Sequence, residues 1–544
     1  MSFTPQAPLP PFDETHDVIV VGGGSAGCAL AGRLSEDPSI DVLLLEAGAD
    51  VNNWLSTVPT GAVLMVPTKL HNYGFQTTPQ PGLNGRRGYV PRGKMLGGSS
   101  GINAMVYIRG QREDYDHWAA LGATGWSWQD VLPYFIRSEG NERLGAPLHG
   151  QSGPLHVSDL RSSNPFQQHW LEAARHCGHP INTDFNGETQ EGLGLYQTTQ
   201  HQGERWGAAR AYIRPHLGQR RNLAVRCGVQ VQRVLFEGRR AVGVELLEGG
   251  LLRRLRARRE VVLAAGAIQS PQLLMLSGVG PAAQLQALGL PVLHHLPGVG
   301  ANLQDHPDFV FGFKSRDLDA LGISAAGGAK FARDVALYRN QRRGMLTSNF
   351  AEAGGFLRTS AAHATPNVQL HFLIALVEDH ARKLHTGHGI SCHVCLLRPE
   401  SRGSVRLASP RAGDAPLIDP GFFQHPADLP QLVEGYKLTR ALMHAPALKA
   451  HWTEELWTAD ARSDDEIEAL IRARADTIYH PVGSCKMGQD AMAVVDPELR
   501  VHGLQGLRVV DASVMPTLVS GNTNAPAMMI GERAADFIKL SPAP

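Results

Sequence analysis

The chain has 544 residues, 43% of them hydrophobic, enough for two or more packed layers around sizeable cores. Lys plus Arg and Asp plus Glu each total 51, so no net field draws the molecule to nucleic acid or to an acidic surface. Met1 to Pro11 has four prolines and no Lys or Arg, unlike a secretory signal, and no apolar run reaches the ~18 residues of a spanning helix. A cytoplasmic protein is expected, with contact at a membrane surface left open.

The first predicted strand is Asp17 to Val21, a continuous apolar run suited to a parallel strand buried on both faces. A helix from Ser25 to Leu34 and a second buried strand, Asp41 to Leu45, complete a βαβ unit. Gly and Pro thicken between Pro67 and Ser100, which reads as irregular loops. Val229 to Leu235, Ala241 to Leu246 and Glu260 to Leu263 then read as a small β-meander.

From Phe309 the chain turns to strands broken by Gly and Pro, such as Val368 to Leu376 and Gly403 to Ser409. A helix follows from about Ala427 to Met443, with Leu429, Leu432, Val433, Tyr436 and Leu442 on one stripe and Asp428 as its cap. This pattern predicts a second domain, a sheet with helices on one side. The six cysteines do not form a disulfide framework. Cys392 and Cys395 have the spacing of a metal or redox pair, but on a strand alternation puts them on opposite faces, so no metal site is expected.

Gly22-Gly-Gly24-Ser25-Ala26-Gly27 fits the G-x-G-x-x-G pattern between a strand and a helix, and Glu46 closes the second strand. Gly22 permits the tight turn, Gly24 lets backbone approach a pyrophosphate, and Gly27 lets helix and strand pack closely. The helix start offers N–H groups and partial positive charge to the anion, and Glu46 accepts from ribose hydroxyls. The motif shows a dinucleotide without separating FAD from NAD.

Later segments make that distinction. Gly93 to Asn103 (GKMLGGSSGIN) resembles the first signature of the glucose-methanol-choline oxidoreductases, and Gly266 to Gly280 resembles the second. Pro297 to His306, His480 to Gly488 and Val509 to Pro516 also look like that family, so the resemblance spans roughly residues 15 to 538. It implies FAD as cofactor. It also implies a Rossmann-like α/β FAD-binding domain, discontinuous in sequence, and an α+β substrate domain with an antiparallel sheet. The division expected is 14–310 with a substrate-side insertion at about 155–215, then 311–470, then a return at 471–540.

The cofactor contacts so implied run through Ser25, Ala26, Ala47, Ser100, Asn103, Ala104, Met105 and Val106, with Val231 at the adenine end and Asp511, Ala512 and Thr523 near the C-terminus. Family members with covalent flavin carry a His where this chain has Ile102, so non-covalent FAD is expected. In Gly266 to Gly280, Pro271 at a helix start and Gly278 after Ser277 have ordinary capping explanations.

Hydride loss from an alcohol requires that the hydroxyl proton leave as well, and a base titrating near neutrality suits this. His480 matches the family's position for that base, and Asn522 the position that is His or Asn and holds the oxygen. Asn524, followed by Ala525 and Pro526, reads as the cap of a helix whose start would favour negative charge on the flavin. The resemblance, including His371 to Leu376, looks closer to bacterial dehydrogenases of primary aliphatic alcohols. Electrons would pass to a quinone or other carrier. Choline, with Glu352 as its cation partner, an oxidase using O2, and an FAD-containing lyase are the alternatives.

Overall fold

The computed structural model describes residues 11–541. Its first sheet grows from the βαβ unit: Val18 to Val21 pairs in parallel with Val42 to Leu45 on one side and Glu260 to Leu263 on the other. Leu223–Cys227 adds outside Val42–Glu46, and Leu507–Val509 adds beside Val261 to Leu263. Covered on both faces, these strands bury Val, Ile and Leu almost completely, at about 1.5–3 kcal/mol for each large side chain.

The meander extends the same sheet, as Gln230–Glu237, Arg240–Glu248 and Leu251–Leu263. Its last strand begins nine residues earlier than Glu260. The arginines of that stretch hide the strand in the sequence. They are partly exposed along an internal strand, where Arg254 pairs with Glu245 at 2.9 Å and Arg258 with Asp17 at 2.6 Å.

The second sheet is antiparallel, in the order Glu454–Leu456, Pro307–Ser315, Gly387–Leu396, Val368–Leu373, Ala353–Leu357, Gly192–Leu195. Helices Phe166–His176, Asp428–Met443 and Asp464–Arg474 cover its back, where Trp170, Leu370, Phe372, Cys392, Val394 and Tyr436 share one core. Alternation turns Gln369, His371 and Cys395 to the opposite face. Cys392 and Cys395 are thus free, buried and on opposite faces of one strand, as expected.

Two end signals belong to other parts of the fold. Asp428 is the first residue of its helix and not its cap; its carboxylate accepts from the Glu400 and Ser401 N–H groups at 2.7 and 3.0 Å, tying the helix to the preceding loop. Pro271 lies inside Gly266–Leu276, because the helix starts earlier on N–H groups taken by side chains: Gly266 donates to Asp511 and Ala265 to Ser270. Gly278 does follow the helix in a left-handed conformation, φ +80°.

Candidate active site

A cavity of about 1450 Å³ opens between the carboxyl ends of the parallel strands and the front of the antiparallel sheet. It exceeds the roughly 300–1,000 Å³ of a drug-sized pocket, so a dinucleotide and a substrate fit together. Gly22, Gly24, Ser25, Ala26, Glu46 and Ala47 line it at one end, and Val231 lines its wall. Asn103, Ala104, Met105 and Val106 line it further in, with Asp511, Ala512 and Thr523 near the Asn524–Leu540 helix start.

The dinucleotide cradle passes a direct test on its glycines. Gly22 has φ +111°, and a Cβ there would sit 2.5 Å from the Ala264 carbonyl. A Cβ on Gly27 would sit 1.9 Å from the Gly22 carbonyl, so this glycine packs helix on strand and does not line the cavity. A Cβ on Gly24 would meet only the Ala264 carbonyl, at 3.9 Å, and Gly24 gives the helix no side-chain cap, leaving its first N–H groups for an anion. Glu46 accepts from Gly23 and Gly48 N–H at 2.9 and 2.7 Å; burial raises its pKa to about 7.

Two expectations change, and a third is narrowed. Ser100 does not line the cavity: its hydroxyl donates to the Gly97 carbonyl at 2.6 Å and accepts from Ala208 N–H, bracing the loop whose neighbour Ser99 is on the wall. Asp511 lines the cavity, yet its carboxylate is occupied by Gly266 N–H, Ser270 and Ser513. Asn524 is not a cap; as the first helical residue it accepts from Ser25 Oγ at 2.7 Å, joining the last helix to the glycine loop.

His480 and Asn522, 42 residues apart, meet on the cavity wall with His480 Nε2 3.2 Å from Asn522 Nδ2. His480 Nδ1 lies 3.0 Å from Nδ1 of His306, whose Nε2 lies 3.0 Å from the Leu397 carbonyl. A carbonyl only accepts, so His306 carries its proton on Nε2. Burial pushes the His306 pKa down to about 3, so the ring is neutral and its Nδ1 bare. His480 must therefore donate from Nδ1. Burial, with nearby His306, His371 and Arg92, holds His480 well below the usual histidine range, so its Nε2 is an unprotonated lone pair facing the Asn522 amide.

The backbone under His480 is equally fixed. Asp305 accepts from the His306 and His480 N–H groups, both at 2.9 Å, and from the Thr477 hydroxyl at 2.5 Å. Tyr479 is held at φ +76° with its carbonyl bound by Arg92 at 2.6 Å. The Tyr479 hydroxyl meets His380 at 2.7 Å, and His380 meets Asp476 at 3.1 Å.

Sequence reasoning missed Asp305 and His306, although they end a segment it singled out. It also missed His371, a cavity-lining ring with a buried, unpartnered Nδ1, and Arg205, which binds the Asn103 carbonyl and side chain at 2.7 and 2.9 Å. Glu352 does not line the cavity; it accepts from Gln167 at 2.7 Å.

Family models for GMC oxidoreductases match residues 16–308 and 399–531. The chain belongs to the GMC oxidoreductase family. Such an oxidoreductase takes FAD as cofactor, in keeping with the cradle. The chain is 46% identical to an alcohol dehydrogenase (acceptor) of Pseudomonas putida over 96% of its length and 95% of the relative's. It is 44% identical to the mitochondrial choline dehydrogenase of Homo sapiens over 97% and 91%. Among solved structures, pyridoxine 4-oxidase from Mesorbium loti superposes with TM-score 0.86 at 30% identity, covering 96% of this chain and 98% of that one. A variant formate oxidase of Aspergillus oryzae superposes with TM-score 0.90 at 28% identity, covering 97% and 99%. Among the described residues no helix of this oxidoreductase is long and apolar enough to cross a membrane.

Proposed function

We propose that this GMC oxidoreductase oxidises a primary alcohol to an aldehyde, with His480 as base and Asn522 as holder of the carbinol oxygen. The observation that carries the reading is the bare Nε2 of His480 beside the Asn522 amide nitrogen on the wall of the FAD cavity. FAD, when bound, supplies the hydride acceptor. The His480 Nε2 lone pair takes the hydroxyl proton, so that no protonated carbonyl forms. Asn522 Nδ2 donates to the oxygen as negative charge develops on it and, unlike an acid, does not compete for the proton. Burial keeps His480 neutral near pH 7, so its Nε2 is unprotonated when an alcohol arrives.

A primary aliphatic alcohol is supported by Leu346, Phe350, Ala351, Leu373 and Leu376, apolar residues that line the cavity. Choline is the weaker reading, because Glu352 is committed to Gln167 away from the cavity. Non-covalent FAD rests on Ile102, an apolar side chain at the loop position where a covalent link needs an imidazole. The name of the Pseudomonas putida relative supports an electron acceptor such as a quinone or other carrier ahead of O2.

The test is anaerobic mixing of the yellow protein with short aliphatic, benzylic and choline-type alcohols while flavin absorbance is followed, and then admission of air. Bleaching by primary alcohols with slow recolouring in air is expected. No bleaching by any alcohol contradicts the reading and favours a non-redox lyase; fast recolouring contradicts the acceptor assignment alone.

A further inference from the structure

Tyr196 and Gln369 lie behind Asn522, away from the reacting atoms, and their hydrogen bonds have a direction. The Tyr196 hydroxyl lies 2.6 Å from the Leu370 carbonyl, which only accepts, so Tyr196 spends its one proton there. Its oxygen accepts from the Gly355 N–H at 2.9 Å, which leaves one lone pair for Gln369 at 3.4 Å. Only the amide nitrogen of Gln369 can serve that lone pair. The same Nε2 lies 3.0 Å from Asn522, so the Asn522 atom facing it is the oxygen. The NH2 of Asn522 must then face His480 and the cavity.

The network arrives at this orientation from both sides. The Leu397 carbonyl, acting through His306, leaves His480 Nε2 bare, and a bare Nε2 requires a donor opposite it. A flipped Asn522 would set oxygen against a lone pair and offer a substrate oxygen no donor. Such flips are decided by the partners an amide has and not by its shape.

We infer that Gln369, oriented by Tyr196, is a positioning residue that sets the direction of the Asn522 amide and so makes Asn522 a donor to the carbinol oxygen. The inference rests on the proposed role of Asn522.

The test measures the rate of anaerobic flavin reduction by a primary alcohol, across pH, in holoenzyme carrying Q369M, Q369E or N522A. Methionine keeps the length of Gln369 but neither donates nor accepts as an amide does. Loss of one such donor costs about 100- to 1,000-fold, and a freed amide loses part of it. Q369M is expected to reduce about 10- to 100-fold slower at every pH, with the bound-flavin spectrum and apparent substrate affinity unchanged. In Q369E the protonated carboxyl can still donate to Asn522, and the ionised one cannot. Its rate is expected to approach the native one near pH 5 and to fall at least about 10-fold as the new carboxyl ionises. Tyr196, Cys395, His371 and His480 are the titratable groups around it, and native enzyme carries them too.

A native rate in Q369M, or a Q369E profile parallel to the native one, overturns the inference. A slowed N522A beside native-like Q369 variants confines that failure to Gln369. A native-like N522A overturns the role of Asn522 and this inference with it.

Discussion

The Leu397 carbonyl and the Tyr196 hydroxyl do not line the cavity, yet between them they decide which atoms of His480 and Asn522 face it. Residue identity alone told less. His480 and Asn522 were legible because each sits in a motif whose chemistry needs that side chain. His306, Gln369 and Tyr196 were not, because their roles depend on which atoms meet across segments 91 to 174 residues apart. The neutral histidines also leave a mark on stability. Burial lowers the His371 pKa to about 3 from an ordinary value near 6.5. An unfolded chain takes up the proton first, so this stability is complete above about pH 6.5 and is lost as pH falls from there toward 3. Replacing His371 with Phe removes that penalty: the variant's thermal midpoint should rise relative to native between pH 7.5 and 5, by the equivalent of about 2 kcal/mol at pH 5. A difference independent of pH would show that His371 is not buried neutral.

Elements with a single, uninterrupted pattern could be read from the sequence, and those built by compensation could not. Val18 to Val21 and Val42 to Leu45 are apolar throughout because neighbours cover both faces. The first nine residues of Leu251–Leu263 escaped because their arginines look like a loop until Glu245 and Asp17 are placed beside them. Asp428, Pro271 and Asn524 carry the right residue types for helix ends, but each is claimed by a different part of the fold. At Gly27 the local signal and the packing agree, since helix and strand approach too closely for any Cβ. Gly27→Val should exceed the usual ~1–3 kcal/mol of overpacking, because it meets a backbone carbonyl that cannot move aside. Soluble yield and flavin absorbance per protein should both collapse; a yellow, soluble variant would contradict the packing.

At the scale of the molecule, two sheets face one cavity, and the chain crosses it repeatedly: at Gly22, Asn103, Val231, His371, His480 and Asn522. The last helix returns to the first glycine loop through Asn524 and Ser25, and Gly531 lets it press on Ala26, where a Cβ would sit 2.4 Å from the carbonyl. The α/β half and the antiparallel half could each be inferred from period and punctuation. How they enclose the cavity could not, since the contacts that join them bring together residues far apart in sequence.

The most direct measurement is the anaerobic rate of flavin reduction by a primary alcohol in native protein and in His480→Ala. If the bare Nε2 is the base, the variant should keep its bound FAD and reduce it about 100- to 10,000-fold more slowly. Reduction within a few-fold of native would contradict the assignment of His480.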